Sequence, residues 1–135
     1  EVLVEEFIEG REFTCGVASI DGNVEALQVT EIICESEFFD YHEKYSENGA
    51  KEVTPAKISN DLTEKIKAYS VQIFKELGLK NMARIDFIGG EEKLTVLEVN
   101  TIPGFSPASI LPQQLKAHGV DLSDFLNQMV LSEIN

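Results

Sequence analysis

Arg84, Asp86, Glu98 and Asn100 sit at alternate positions of two short stretches, "RIDF" and "LEVN", separated by "IGGEEKLTV". Side chains alternate across a strand, so each stretch sends its polar pair to one face. Ile85, Phe87, Leu97 and Val99 then belong to the other, the core face. A hairpin register that sets Asp86 opposite Glu98 also sets Arg84 opposite Asn100. Facing carboxylates repel, so this register is costly unless a cation lies between them. Two carboxylates and an amide oxygen suit a hard divalent ion such as magnesium, which fills its octahedron with water and phosphate oxygens. The plainer alternative is a solvated outer strand face, the ordinary fate of polar residues on one side of a sheet. The segment "NTIPGFS", from Asn100 to Ser106, shifts the balance towards a working site. A Pro-Gly turn directly after a strand leaves backbone N–H groups where they can polarise an oxyanion.

The elements that must position these residues can be read along the chain. Val2 to Ile8 alternates loosely and predicts a strand, and Glu9 to Glu12 a bend. Phe13 to Ile20 and Val24 to Ile33 predict two more strands. Asp21-Gly22-Asn23 between them is a hairpin turn, because Asp-Gly tolerates positive φ. Cys34 to Val53 has no sustained period; connections of that length inside a domain tend to be functional. Ser59 or Asn60 caps a helix running through Leu79, with Leu62, Ile66, Tyr69, Ile73, Phe74 and Leu77 inward and Gly78 at the left-handed C-cap. Met82 to Ile88 and Leu94 to Asn100 form the next hairpin. A loop from Thr101 to Ala108 leads to a short helix that begins near Ser109 and closes at Gly119. Asp121 or Ser123 caps a last helix with Leu122, Phe125, Leu126, Met129 and Val130 inward. The sum is an α+β fold, an antiparallel sheet with helices packed on one face.

Composition narrows the function classes. The chain has 135 residues, 43% hydrophobic and 26% charged, enough for one domain with a real core. Its net charge of −13, from 24 acidic and 11 basic residues, argues against nucleic acid as a partner. No apolar run is long enough to span a membrane, and the first residues lack the layout of a signal peptide. The start in strand-like sequence without methionine points to a fragment with its missing part upstream. Cys15 and Cys34 lack metal-ligand spacing and read as two reduced thiols of a cytoplasmic protein. His42 and His118 have no obvious partners, which makes a histidine metal site improbable.

"ARIDF" followed by "LEVNTIPGFSPASILPQ" resembles the ATP-grasp family, and most closely its D-alanine–D-alanine ligases. "VEEFIEGREFT" at Val4 to Thr14, "FFDYHEKY" at Phe38 to Tyr45, and Pro55-Ala56 extend the likeness over the whole chain. The resemblance implies that residues 1–135 form a C-terminal ATP-grasp subdomain, with the amino-terminal and central lobes absent. It implies an enzyme that ligates two D-alanines through a D-alanyl phosphate at the expense of ATP, for peptidoglycan precursor synthesis. Such ligases are commonly homodimers.

The same resemblance assigns roles. Asp86, Glu98 and Asn100 would hold two magnesium ions, with manganese as an alternative. Arg84 would stabilise the transferred phosphoryl group, and the Gly104 N–H would face the oxyanion. Ser109 and the N–H of Ile110 would take the carboxylate of the second D-alanine; read alone, Ser109 is an ordinary helix N-cap. Glu5, Phe7 and Ile8 match the adenine hinge and Glu12 the ribose acceptor. Without the resemblance these are exposed acids and core-strand residues. Lys44 and Tyr45 match a mobile cover over the phosphates. Tyr45 after Lys44 points to D-alanine as second substrate, where relatives making D-alanyl-D-lactate have histidine and those making D-alanyl-D-serine tend to have phenylalanine. "PGFSPASILPQQ" departs from the common pattern in Phe105, Ser106 and Pro107. Gln113 and Gln114 stand where many relatives have a basic residue.

Overall fold

Among the described residues five antiparallel strands carry the fold, and the order of pairing decides which residues share a face. The computed structural model describes residues 2–33 and 50–134. Strands β1 (Arg11–Ile20) and β2 (Asn23–Ile33) form the first hairpin. Asp21 and Gly22 take φ of 49° and 80° at its turn, as Asp-Gly predicts. Next come β3 (Lys51–Val53), α1 (Asn60–Glu76), the hairpin β4 (Met82–Gly89) and β5 (Leu94–Asn100), and the helices α2 (Ile110–His118) and α3 (Leu122–Ile134). The sheet order is β3-β2-β1-β4-β5.

Val2 to Ile8 forms no strand. Both edges of β1 are taken, one by β2 and the other by β4, so no ladder is left beside it for the preceding segment. Val2, Leu3, Val4 and Phe7 are correspondingly exposed. Part of the aperiodic stretch after β2 does pair: β3 lies against Glu31–Ile33, too short for any period to reveal.

The helices divide between the two faces. Phe13, Cys15, Val17, Ile85 and Phe87 point to one face and close a core with Leu62, Ile66 and Phe74 of α1. Ala18, Ile20 and Leu27 point to the other and meet Leu111 and Leu115 of α2 and Phe125 of α3. The antiparallel α+β sheet is as expected, but α2 and α3 lie opposite α1 rather than beside it. Phe13 to Ala18 are therefore buried without interruption, since the centre of β1 is covered on both sides.

Caps agree closely with the sequence. The Ser59 hydroxyl accepts from the N–H of Leu62, and α1 ends at Leu77, with Gly78 beyond it in the left-handed region. Tyr69 and Leu77, expected inward, are substantially exposed, and Ser70 is buried in their place with its hydroxyl on the Ile66 carbonyl. Asp121 caps α3 through the N–H groups of Ser123 and Asp124. Val130, also expected inward, is exposed. Later turns of α3 meet loop ends instead of the sheet: Gln128 exchanges hydrogen bonds with Asp21, and Asn81 donates to Glu133. Among the described residues no helix is long and apolar enough to cross a membrane.

A β-bulge interrupts the β1–β2 ladder between Cys15 and Val17. Gln114 of α2, fully buried, reaches into it. Its amide oxygen accepts from the Gly16 N–H at 3.0 Å. Its NH₂ group donates to the Thr14 carbonyl and the Thr30 hydroxyl, each at 3.0 Å. One side chain thus binds α2 to two strands.

Cys15 is a free thiol, as expected, and fully buried. Burial pushes it from 9.0 up to about 11. A proton lost later in the folded state than in the unfolded one makes folding weaker as pH rises. The neutral thiol's contribution is whole below about 9 and is lost as pH climbs through about 11. Denaturant titrations across that window should show Cys15→Ala losing less stability than wild type, by on the order of 2–3 kcal/mol. Cys34 and His42 lie outside the described residues. His118 does have a partner, the Glu25 carboxylate at 3.3 Å from Nε2.

Candidate active site

The β4–β5 ladder pairs Asp86 with Glu98 and Arg84 with Asn100, the register that the alternation predicts. A bulge comes directly after: Phe87 pairs with Val96, leaving Leu97 as an extra residue on β5. Two residues against one shift the parity of a strand. Leu97 therefore leaves the core face expected for it and lines the cleft beside Glu98, half exposed. Val99 keeps its place against the core.

Arg84 neutralises the acidic crowd. Its Nε and Nη2 donate to the two oxygens of Asp86 at 3.0 and 2.8 Å, and Nη2 lies 3.7 Å from Glu98. Hydrogen bonding to Asp86 outweighs partial burial and holds the guanidinium above its ordinary range, with Glu98 and Glu52 adding to the field. Asn100 turns its amide oxygen to the Ile102 N–H at 3.1 Å, which starts the loop, and keeps a second lone pair free. Among the described residues no three acidic, histidine or cysteine side chains converge. The donor set is two carboxylates and an amide oxygen, hard ligands that suit magnesium when phosphate and water supply the rest.

In front of this patch lies a cleft of about 480 Å³ whose walls include Glu5, Glu12, Thr14, Glu52, Asp86 and Ile110. A neighbouring hollow of about 420 Å³ shares Glu5, Glu12 and Leu97 and adds Phe7 and Ile8. The fold thus gathers Glu5, Phe7, Ile8 and Glu12 at one end and Arg84, Asp86 and Glu98 at the other. Lys44 and Tyr45 lie outside the described residues. Gly104 and Ser109 pack against each other beside the cleft: a Cβ at Gly104 would come within 2.8 Å of the Ser109 hydroxyl. Ser109 precedes α2 in N-cap position, but its hydroxyl makes no cap bond and meets Ser106 Oγ at 2.8 Å instead. That leaves the first N–H groups of α2 without a side-chain cap from Ser109.

Leu97, Glu52 and Thr14 are among the cleft residues that escape a reading of the sequence. Leu97 is displaced by the bulge. Glu52 lies on the three-residue strand β3 and is held by Gln113 Nε2 at 3.0 Å. Thr14 looks like one more residue of a buried strand; only its pairing with Asp86 across β1 and β4 shows where it faces.

The family model described as D-ala D-ala ligase C-terminus matches residues 1–131. The chain belongs to this family. A D-alanine–D-alanine ligase of Christiangramia forsetii is 42% identical over 135 residues, all of this chain and 41% of that one. Among solved structures, the VanG D-Ala:D-Ser ligase from Enterococcus faecalis superposes with a TM-score of 0.78 at 36% identity, covering 93% of this chain and 36% of that one. The D-alanine–D-alanine ligase from Bacillus anthracis complexed with ATP gives 0.75 at 30% identity, covering 96% and 41%. The chain therefore spans about two fifths of the length of these D-alanine–D-alanine ligases.

Proposed function

We propose that residues 1–135 are the C-terminal ATP-grasp subdomain of a longer enzyme that joins two D-alanines, and that they supply its ATP and metal sites. The register that sets Arg84, Asp86, Glu98 and Asn100 on one face, over a cleft walled by Glu5 and Glu12, is the observation that carries this reading. Asp86, Glu98 and Asn100 would hold two magnesium ions, or manganese in their place. Bound there, the ions neutralise phosphate oxygens and align the γ-phosphoryl group with its acceptor.

This chain's own side chains do the rest. Phe7, Ile8 and Leu97 flank the adenine, Glu5 accepts from its amino group, and Glu12 accepts from the ribose hydroxyls. A carboxylate oxygen of the first D-alanine bonds to the γ-phosphorus as the bond to the β,γ-bridging oxygen breaks and ADP leaves. Arg84, turned from Asp86 to the phosphoryl oxygens, stabilises their charge. The amine of the second D-alanine then attacks the acyl carbonyl, loses a proton and expels phosphate, while the Gly104 N–H faces the oxyanion. The N-terminus of α2 holds the second carboxylate through the Ser109 hydroxyl and the Ile110 N–H, where free amides and the helix dipole favour an anion. For Lys44 and Tyr45 the family likeness supports roles at the phosphates, with the lysine as a cation towards their oxygens. The setting is cytoplasmic synthesis of peptidoglycan precursors, by a homodimer.

The 36% identity to a D-Ala:D-Ser ligase supports a second reading, with D-serine as the second substrate. Tyr45 after Lys44 favours D-alanine. Incubating the complete chain with ATP, magnesium and both amino acids should yield D-alanyl-D-alanine and ADP in equal amounts. A product containing D-serine in preference would favour the second reading. A folded chain that binds no nucleotide in magnesium would overturn both.

A further inference from the structure

Thr14 is 2% exposed and stands on the cleft wall, yet its hydroxyl oxygen has no hydrogen-bond partner among the described residues. An unpaired buried hydroxyl is costly, so its presence in a functional cleft needs a cause. Thr14 lies directly across the β1–β4 ladder from Asp86. Such pairs hold their Cβ atoms about 5 Å apart, close enough for a hydroxyl to reach a carboxylate after rotation about χ1. In the structure each oxygen of Asp86 accepts one hydrogen bond, both from Arg84.

We propose that Thr14 is a positioning residue for Asp86 in the nucleotide-loaded site. When Arg84 turns its guanidinium to a phosphate, the Thr14 hydroxyl donates to the carboxylate oxygen that Arg84 releases. The other oxygen of Asp86 is then aimed at the cation. The role rests on the magnesium–nucleotide reading above and adds to it a switch of partners at one carboxylate. Chemistry leaves no other candidate among the described walls of the cleft. Glu5, Glu12, Glu52 and Glu98 only accept when ionised, the remaining walls are apolar, and Arg84 is the group that departs. Carboxylates that bind metal are ordinarily fixed by such a hydrogen bond from behind.

The test uses the complete chain with Thr14→Val and Thr14→Ser, reading manganese binding in the presence of a non-hydrolysable ATP analogue by electron paramagnetic resonance. Thr14→Val should weaken manganese binding by roughly tenfold or more, and Thr14→Ser should restore it to near wild type. Ligand-free Thr14→Val should melt at or above wild type, because it removes a hydroxyl that has no partner among the described residues. Unchanged manganese affinity in Thr14→Val, or a clearly lower ligand-free melting temperature, overturns the role of Thr14 alone. Wild type that binds no manganese with the nucleotide overturns this role and the ligase reading together.

Discussion

Glu98→Gln should cut turnover of the complete chain by roughly 10²–10³ while its melting temperature stays close to wild type. The two expectations separate because Glu98 contributes little to the fold. Its side chain is 62% exposed, and its ion pair with Arg84 is long, at 3.7 Å. Such a pair is worth little in water. Its worth in the proposed reaction lies elsewhere: a glutamine keeps the shape and one oxygen but removes the negative charge that the metal ions need. Asp86→Asn would be a poorer test, since it also breaks a part-buried bidentate pair with Arg84 and confuses stability with chemistry. Product formation and thermal melting, measured on the same preparation, decide the matter. Near-normal turnover in Glu98→Gln would refute the metal assignment.

Gln114→Leu has the opposite profile, a large loss of stability from a residue outside the cleft. The substitution removes the side-chain hydrogen bonds that the Gly16 N–H and the Thr14 carbonyl make to Gln114 in a buried place. The Thr30 hydroxyl still has Thr54 Oγ1 at 2.6 Å. Each buried hydrogen bond lost without replacement costs about 1–3 kcal/mol, so the two together should cost on the order of 2–6 kcal/mol. Gln113→Leu is the control: its neighbouring amide bonds at the surface, and its loss should cost less than about 1 kcal/mol. Urea titrations of the two variants give the comparison directly, through a shift in midpoint at constant slope. A Gln114→Leu midpoint equal to that of Gln113→Leu would show that the bulge finds other partners. The effect extends to function, because α2 carries Ser109 and Ile110 at its start. Loosening its anchor moves the end that faces the cleft.

Much of the candidate site was legible because alternation and register are local. Ile85 and Phe87 mark the buried face of β4, which puts Arg84 and Asp86 on the other, and the hairpin then brings Asn100 and Glu98 opposite them. Ser59, Gly78 and Gly119 announce helix ends for equally local reasons. What failed depends on partners distant in sequence. Val2 to Ile8 has the pattern of a strand, but β4, some seventy residues on, takes the edge of β1 that it would need. Periodicity says that a helix has an apolar face and not which side of the sheet will receive it, so the division of α1 from α2 and α3 was hidden. One local signal does bear on that division: "FTCGVA" at Phe13 to Ala18 has no charge and no alternation, the mark of a strand covered on both faces. Nothing local could show the unpaired hydroxyl of Thr14, since it is defined by what its neighbours are already doing.

The extra residue in β5 has a consequence for how such a cleft can change. Leu94 and Val99 both pack against the core, five positions apart, which regular alternation would forbid. The bulge joins two correctly phased halves, and Leu97 is the residue that neither half counts. Its size and polarity can therefore drift without disturbing the core or the charged register beside it. Selection on the cleft and selection on folding act on different residues of one short strand, so this wall can be remodelled while the machinery next to it stays fixed.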